Sequence, residues 1–189
     1  MVSDLEHFLD LPADVPGPAM RLADRLGRMV SAATAGDVGE PWTTAIRCER
    51  RPGRRPCAGF IEVVRAEPEV PIRWWCNACD DEGVITGWER SPFDLRSRDL
   101  RSAPARRQVV IDVDMAGTLQ RIAVLDIEAA RVVFRARATV DEVVLLGSAD
   151  ELEALAEHVA AEANHEPNRR RRRVLDAALD RLESAISTT

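Results

Sequence analysis

The sequence contains no lysine and no tyrosine, so all 26 of its basic side chains are arginine. Lysine and tyrosine codons are AT-rich, and a GC-rich coding sequence accounts for both absences. The abundance of arginine is therefore not by itself a functional signal. Nor is there an excess of positive charge: 32 acidic residues leave a formal charge of −6, which argues against a chain that coats nucleic acid through bulk charge. No apolar run approaches the roughly 20 residues needed to span a bilayer, and the N-terminus lacks the charged, apolar and small-residue sections of a signal peptide. A glycine-rich phosphate loop, a dinucleotide fingerprint and a nucleophile elbow are also missing. What is present is a chain of 189 residues, 46 % hydrophobic, enough for one ordinary domain or two small ones around a buried core. The expectation is a soluble, cytoplasmic protein with no membrane contact.

The expected fold class is α+β: an N-terminal helix, an antiparallel ribbon, then an antiparallel β-meander covered by a C-terminal helical hairpin. Residues 1–36 read as helical. Ser3 and Glu6 have the spacing of a capping box, and after Pro12, Pro16 and Pro18 the residues Leu22, Leu26, Met29, Val30 and Ala33 recur at helical spacing. Gly36 and Gly39 end that helix. Residues 37–104 hold all four cysteines and all four tryptophans, with strands expected at 43–48, 60–65, 72–76 and 84–88 between turn signals. Residues 105–189 form the last region. Strands are expected at 109–115, 119–125, 132–138 and 143–147. Ser148 with Glu151 then makes a capping box, and two helices follow on either side of Pro167.

The only cysteines are Cys48, Cys57, Cys76 and Cys79. The second pair is a C-x-x-C motif followed by the acidic turn Asp80-Asp81-Glu82-Gly83. In such a knuckle backbone amides point at the sulfurs, and the short loop puts both on one ion. The first pair has eight residues between its members, against the usual two to four, with Pro52, Gly53 and Pro56 marking a looped excursion. Eighteen residues from Cys57 to Cys76 allow two strands that bring the pairs together. A module of about 50–60 residues gains from a metal cross-link, and four thiolates close a tetrahedron in the structural pattern. The expectation is one structural Zn2+; iron or an iron–sulfur cluster, two disulfides, and free buried thiols are the alternatives.

From Cys57-Ala58-Gly59-Phe60-Ile61-Glu62-Val63, through Trp74-Trp75-Cys76-Asn77-Ala78-Cys79-Asp80-Asp81-Glu82-Gly83-Val84-Ile85 to Trp88, the chain resembles the zinc ribbons. It is similar in particular to the ribbon of small proteins of high-GC bacteria. The resemblance implies a three-stranded antiparallel ribbon with Cys48, Cys57, Cys76 and Cys79 as ligands. The long first spacing departs from the pattern at Cys48. Zinc ribbons serve transcription, translation and protein docking alike, so the resemblance does not choose a function.

Other candidates have structural explanations beside functional ones. Arg50, Arg51, Arg54 and Arg55, with Arg47 just before them, could read phosphates beside an exposed tryptophan. They could equally offset the −2 charge of a four-thiolate zinc centre. Trp74 and Trp75 are adjacent in a strand and so face opposite sides; one fills the core and the other meets a neighbouring region or a partner. Arg169–Arg173 opens the last helix where positive charge is unfavourable, and Arg171 and Arg172 can pair with Glu162 or Glu166. His158, Glu162 and His165 share a helix face without the further carboxylates of a di-iron site. Asp112 and Asp114 share a strand face, and cross-strand pairing with Arg135 and Arg137 accounts for them without catalysis. The function expected is a non-enzymatic zinc protein whose ribbon docks a protein partner, with no small-molecule substrate. The alternative is a nucleic-acid-binding regulator that uses the Arg-rich loop.

Overall fold

The computed structural model describes residues 1–12, 15–66, 70–96, 106–139 and 142–187. The chain is mixed α and β, and it divides into two compact units, Met1–Arg96 and Ser97–Thr189. Among the described residues no helix is long and apolar enough to cross a membrane.

The first unit contains strand β1 (Val2–Asp4), helix α1 (Gly17–Ala35) and strands β2 (Trp42–Arg47), β3 (Phe60–Val64), β4 (Ile72–Cys76) and β5 (Glu82–Thr86). The strands lie in the order β1-β5-β4-β3-β2. Neighbours from β2 to β5 are antiparallel, and β1 runs parallel to β5. Pro18 in the first turn of α1 carries no amide to leave unpaired, and the helix ends at Gly36. A side chain there would meet the Trp42 indole within 2.8 Å. The expected stripe is the buried one: Leu26, Met29, Val30 and Ala33 pack with Ile46, Ile61, Val63, Ile72, Trp74, Ile85 and Trp88 in a single core. Each large side chain buried there contributes about 1.5–3 kcal/mol.

The chain does not begin with a helix. Ser3 lies in β1, paired with Ile85, and the helix-capping role falls to Asp4, which accepts the Glu6 amide at 3.1 Å to open a short 3₁₀ turn over Leu5–Phe8. Burying Leu5 in the core and adding a strand to the free edge of β5 outweigh the local helical signal. The antiparallel register, with Ile61 opposite Cys76 and Trp75 opposite Glu82, gathers the end of β2, the start of β3, the end of β4 and the start of β5 at one edge of the unit.

The second unit contains β6 (Arg107–Ile111), α2 (Val113–Leu119), α3 (Ile127–Phe134), β7 (Arg137–Ala138), β8 (Val143–Gly147), α4 (Ala149–His165) and α5 (Arg169–Ser187). Its sheet is β7-β8-β6, all antiparallel, so the expected four-strand meander is corrected to three strands interrupted by two helices. Aspartates decide this. Asp112 accepts the Met115 amide at 2.7 Å and starts a helix inside the expected strand 109–115, and Asp126 accepts the Ala129 amide at 2.8 Å and starts a helix that runs into the expected strand 132–138. The C-terminal hairpin is present. Ser148 and Glu151 form the expected capping box, and Asn168 caps α5 by accepting the amides of Arg170 and Arg171. Leu152, Leu155, Val159, Leu175, Ala178 and Leu182 are buried.

Candidate metal centre

Cys48 follows β2, Cys57 precedes β3, Cys76 ends β4 and Cys79 lies in the turn to β5, so all four reach the edge where those strand ends converge. Their sulfurs lie within 4.8 Å of one another. Cys48 to Cys79 and Cys57 to Cys76 are both 3.7 Å apart. A tetrahedral ion with metal–sulfur bonds of about 2.3 Å requires sulfur–sulfur edges of about 3.8 Å, whereas a disulfide requires about 2.05 Å. All four thiols are free. The long Cys48–Cys57 loop does not remove Cys48 from the group.

The backbone is arranged around sulfur. Gly59 donates its amide to Cys57 Sγ at 3.4 Å and Ala78 to Cys76 Sγ at 3.3 Å. The Arg50 and Asp81 amides pull the Cys48 and Cys79 thiols down from the same position in each knuckle. Cys57 and Cys76 thus accept the N–H of the residue two positions further on, and at Cys48 and Cys79 the amide at the same offset acts in the same sense, an arrangement that favours the thiolate. The knuckles are also stitched through the main chain: Cys48 N–H donates to Gly59 O, Cys57 N–H to Arg50 O, and Cys76 N–H to Asp81 O. Asn77 accepts the Phe60 amide at 2.9 Å. At Gly59 a Cβ would lie 2.6 Å from Cys76 Sγ and 2.7 Å from Ala78 Cβ, so only glycine lets the knuckles close.

The thiols respond to this crowding. Burial pushes Cys48 up to about 12, against the pull of the Arg50 amide and with further upward pushes from the Cys76 and Cys79 thiols. The Gly59 amide holds Cys57 below its ordinary value, and burial opposes it only in part. At Cys79 the Asp81 amide pulls down, but burial and the Cys76 and Cys57 thiols raise it further. Sulfurs this close cannot all carry charge unless a cation sits among them. Four thiolates suit a soft or borderline metal ion.

Among the described residues, hydrogen bonds to the four sulfurs come from backbone amides and from each other, not from the arginine side chains expected there. Arg50 instead approaches Asp81 with its Nε 3.8 Å from Oδ1, and Arg47 lies over the Phe60 ring at 4.7 Å. Arg51, Arg54 and Arg55 are exposed and carry no ion pair among the described residues. Trp74, 1 % exposed, belongs to the core, with Arg25 5.0 Å from its ring centroid, so it is closed to any partner. Trp75 is half-buried on the opposite face. The residues that sequence reasoning missed are Gly59, Asp81 and Arg25. The pattern Cys57-Ala58-Gly59 was a usable signal for the first. Arg25, whose guanidinium donates to Asp81 Oδ2 at 2.6 Å across 56 positions, had none.

The remaining candidates lie in the second unit. Asp112 is occupied as a helix cap, and Asp114 lies in the first turn of the same helix. Arg135 pairs with Glu151 at 3.4 Å rather than across strands. His158 meets Asp126 at 3.1 Å, His165 is exposed, and Arg171 bridges Glu162 and Glu166 as expected. Comparison with known protein families, with curated proteins and with solved structures finds no match for this chain.

Proposed function

We propose that the chain is a non-enzymatic zinc protein in which one Zn2+, held by Cys48, Cys57, Cys76 and Cys79, fixes the first unit as a ribbon for docking a protein partner. The observation that carries the metal reading is the convergence of four free thiols within 4.8 Å of one another, two pairs of them at the 3.7 Å of a tetrahedral edge, with the amides two residues ahead bonded to Cys57 and Cys76. Zn2+ fits four thiolates in a closed tetrahedron, which leaves no position for substrate. That favours a structural ion over a catalytic one. Reduced thiols suit the cytoplasm.

The docking surface proposed is the loop Glu49–Pro56. A ligand clamps it at each end, the Arg54 and Arg55 amides bond back to Arg51 and Pro52, and Gly53 and Arg54 adopt left-handed conformations. Arg51, Arg54 and Arg55 thus form an exposed cationic surface that is already ordered, matched to carboxylates on a protein. Nucleic acid is the second reading, supported by the same guanidiniums and opposed by the adjacent Asp80, Asp81 and Glu82. Native mass spectrometry of the purified protein is expected to show one zinc per chain. A pull-down with the intact chain should then lose its protein partners when Cys76 and Cys79 are replaced by serine. Partners that survive that replacement contradict ribbon-dependent docking. Binding of DNA or RNA that weakens steeply with salt and vanishes with alanine at Arg50, Arg51, Arg54 and Arg55 would establish the second reading instead.

A further inference from the structure

We infer that Asp81 is the positioning residue that holds the metal centre closed and governs how fast its ion escapes, an inference that rests on reading the four cysteines as a metal site. Asp81 and Arg50 occupy equivalent places in the two knuckles. The Arg50 amide lowers the Cys48 thiol, and its carbonyl accepts Cys57 N–H at 2.9 Å. The Asp81 amide pulls on the Cys79 thiol in the same way, and its carbonyl accepts Cys76 N–H at 2.8 Å. Their side chains then face each other, with Arg50 Nε 3.8 Å from Asp81 Oδ1.

The knuckles therefore meet along two seams. Beside Cys57 and Cys76 the seam is Asn77 with Phe60, made of main-chain and amide bonds. Beside Cys48 and Cys79 it is the Arg50–Asp81 pair, and this seam borders a polar depression into which Cys79 opens, lined also by Glu49, Arg51, Pro52 and Asp80. It is the side from which solvent reaches the Cys79 sulfur, as Cys57 is reached beside the other seam.

The pair is not symmetric. The Arg50 side chain is 65 % exposed, and an exposed pair at that separation contributes little alone. The other Asp81 oxygen takes Arg25 NH2 at 2.6 Å, with both side chains largely buried, and Arg25 Nε has no hydrogen-bond partner among the described residues. Removing the carboxylate would strand a buried guanidinium and free the turn that carries Cys79. Asp81 thus ties the solvent-facing knuckle to α1, and ligand-orienting groups of this kind are worth about 10–100-fold in metal retention.

The test loads the full chain with Zn2+ and follows release to excess chelator with a chromogenic zinc indicator. Asp81→Asn is expected to release zinc about 10–100 times faster than the parent, and Arg50→Ala a few times faster. Their effects should fail to multiply in the double variant, because they break one contact. Asp80→Asn, at an exposed neighbouring acid, is expected to release at the parent rate. With Co2+ in place of zinc, Asp81→Asn should keep the absorption bands of a tetrahedral thiolate site, which a merely unfolded variant would lose. If Asp81→Asn does not fold, the exposed Arg50→Ala decides. Parent-like release from both variants, or equal acceleration by Asp80→Asn, overturns the inference while zinc uptake by the parent leaves the metal reading standing. A parent chain that takes up no zinc overturns both.

Discussion

In the unit Met1–Arg96 the strand ends that converge at one edge carry four sulfurs, whereas in Ser97–Thr189 the element ends are closed by side chains that the fold itself supplies. Asp112, Asp126, Ser148 and Asn168 each cap a helix, Arg107 donates to the Ala185 and Ile186 carbonyls at the far end of α5, and Arg171 bridges Glu162 and Glu166. The contrast separates two ways of stabilising a small unit. Caps and ion pairs are distributed, each contributing on the order of 1 kcal/mol. A metal cross-link is concentrated in one place and can be removed in one step.

Metal removal should break the comparison most sharply. Chelation, or Cys76→Ser with Cys79→Ser, is expected to unfold the first unit, since structural zinc sites contribute on the order of 10 kcal/mol. Hydrogen exchange should show the amides of β2–β5 losing protection while those of α4 and α5 keep theirs. The next effect sets one glycine against another. Gly59→Ala places a Cβ 2.6 Å from Cys76 Sγ and should cost about 1–3 kcal/mol, together with metal affinity. Gly117→Ala in α2 meets nothing closer than the Arg121 guanidinium at 3.5 Å and should stabilise by about 0.5–1 kcal/mol. Thermal melts of the two variants with and without zinc check the pair.

Ser148→Ala removes the capping box of α4 and should cost about 1 kcal/mol, with no change in zinc content. The smallest effect is a pH dependence confined to the second unit. The Asn168 amide and then Arg171 hold Glu166 below its ordinary value of 4.5. Because the folded value is the lower one, the stabilisation is complete above that ordinary value and is lost as pH falls through the folded value. Glu166→Gln should flatten that acid limb in a urea titration of the hairpin.

Where structure followed from local chemistry it was legible in advance. The turn signals around the cysteines place β2, β3, β4 and β5 within about two residues, and Ser148-Ala149-Asp150-Glu151 announces α4 directly. The four cysteines identify the candidate site, though their spacing left Cys48 open until the 3.7 Å approach to Cys79 was seen. What escaped was non-local or ambiguous. β1 pairs with β5 across more than 80 positions, and no local pattern encodes such a partner. The alternation from Val109 to Met115 hides a helix start because Asp112 fits equally a strand's polar face and a helix cap. Val132–Ala138 misled in the same way: Ala129, Ala130, Val132 and Val133 are the buried positions, a helical set. Asp81 was visible only as part of an acidic turn, since its role depends on Arg25 reaching it from α1.

The most direct measurement is X-ray absorption at the zinc edge of the protein as purified. One zinc per chain surrounded by four sulfurs at about 2.3 Å is the predicted result. Fewer than four sulfurs, nitrogen or oxygen donors in the inner sphere, or a chain free of zinc would contradict the account.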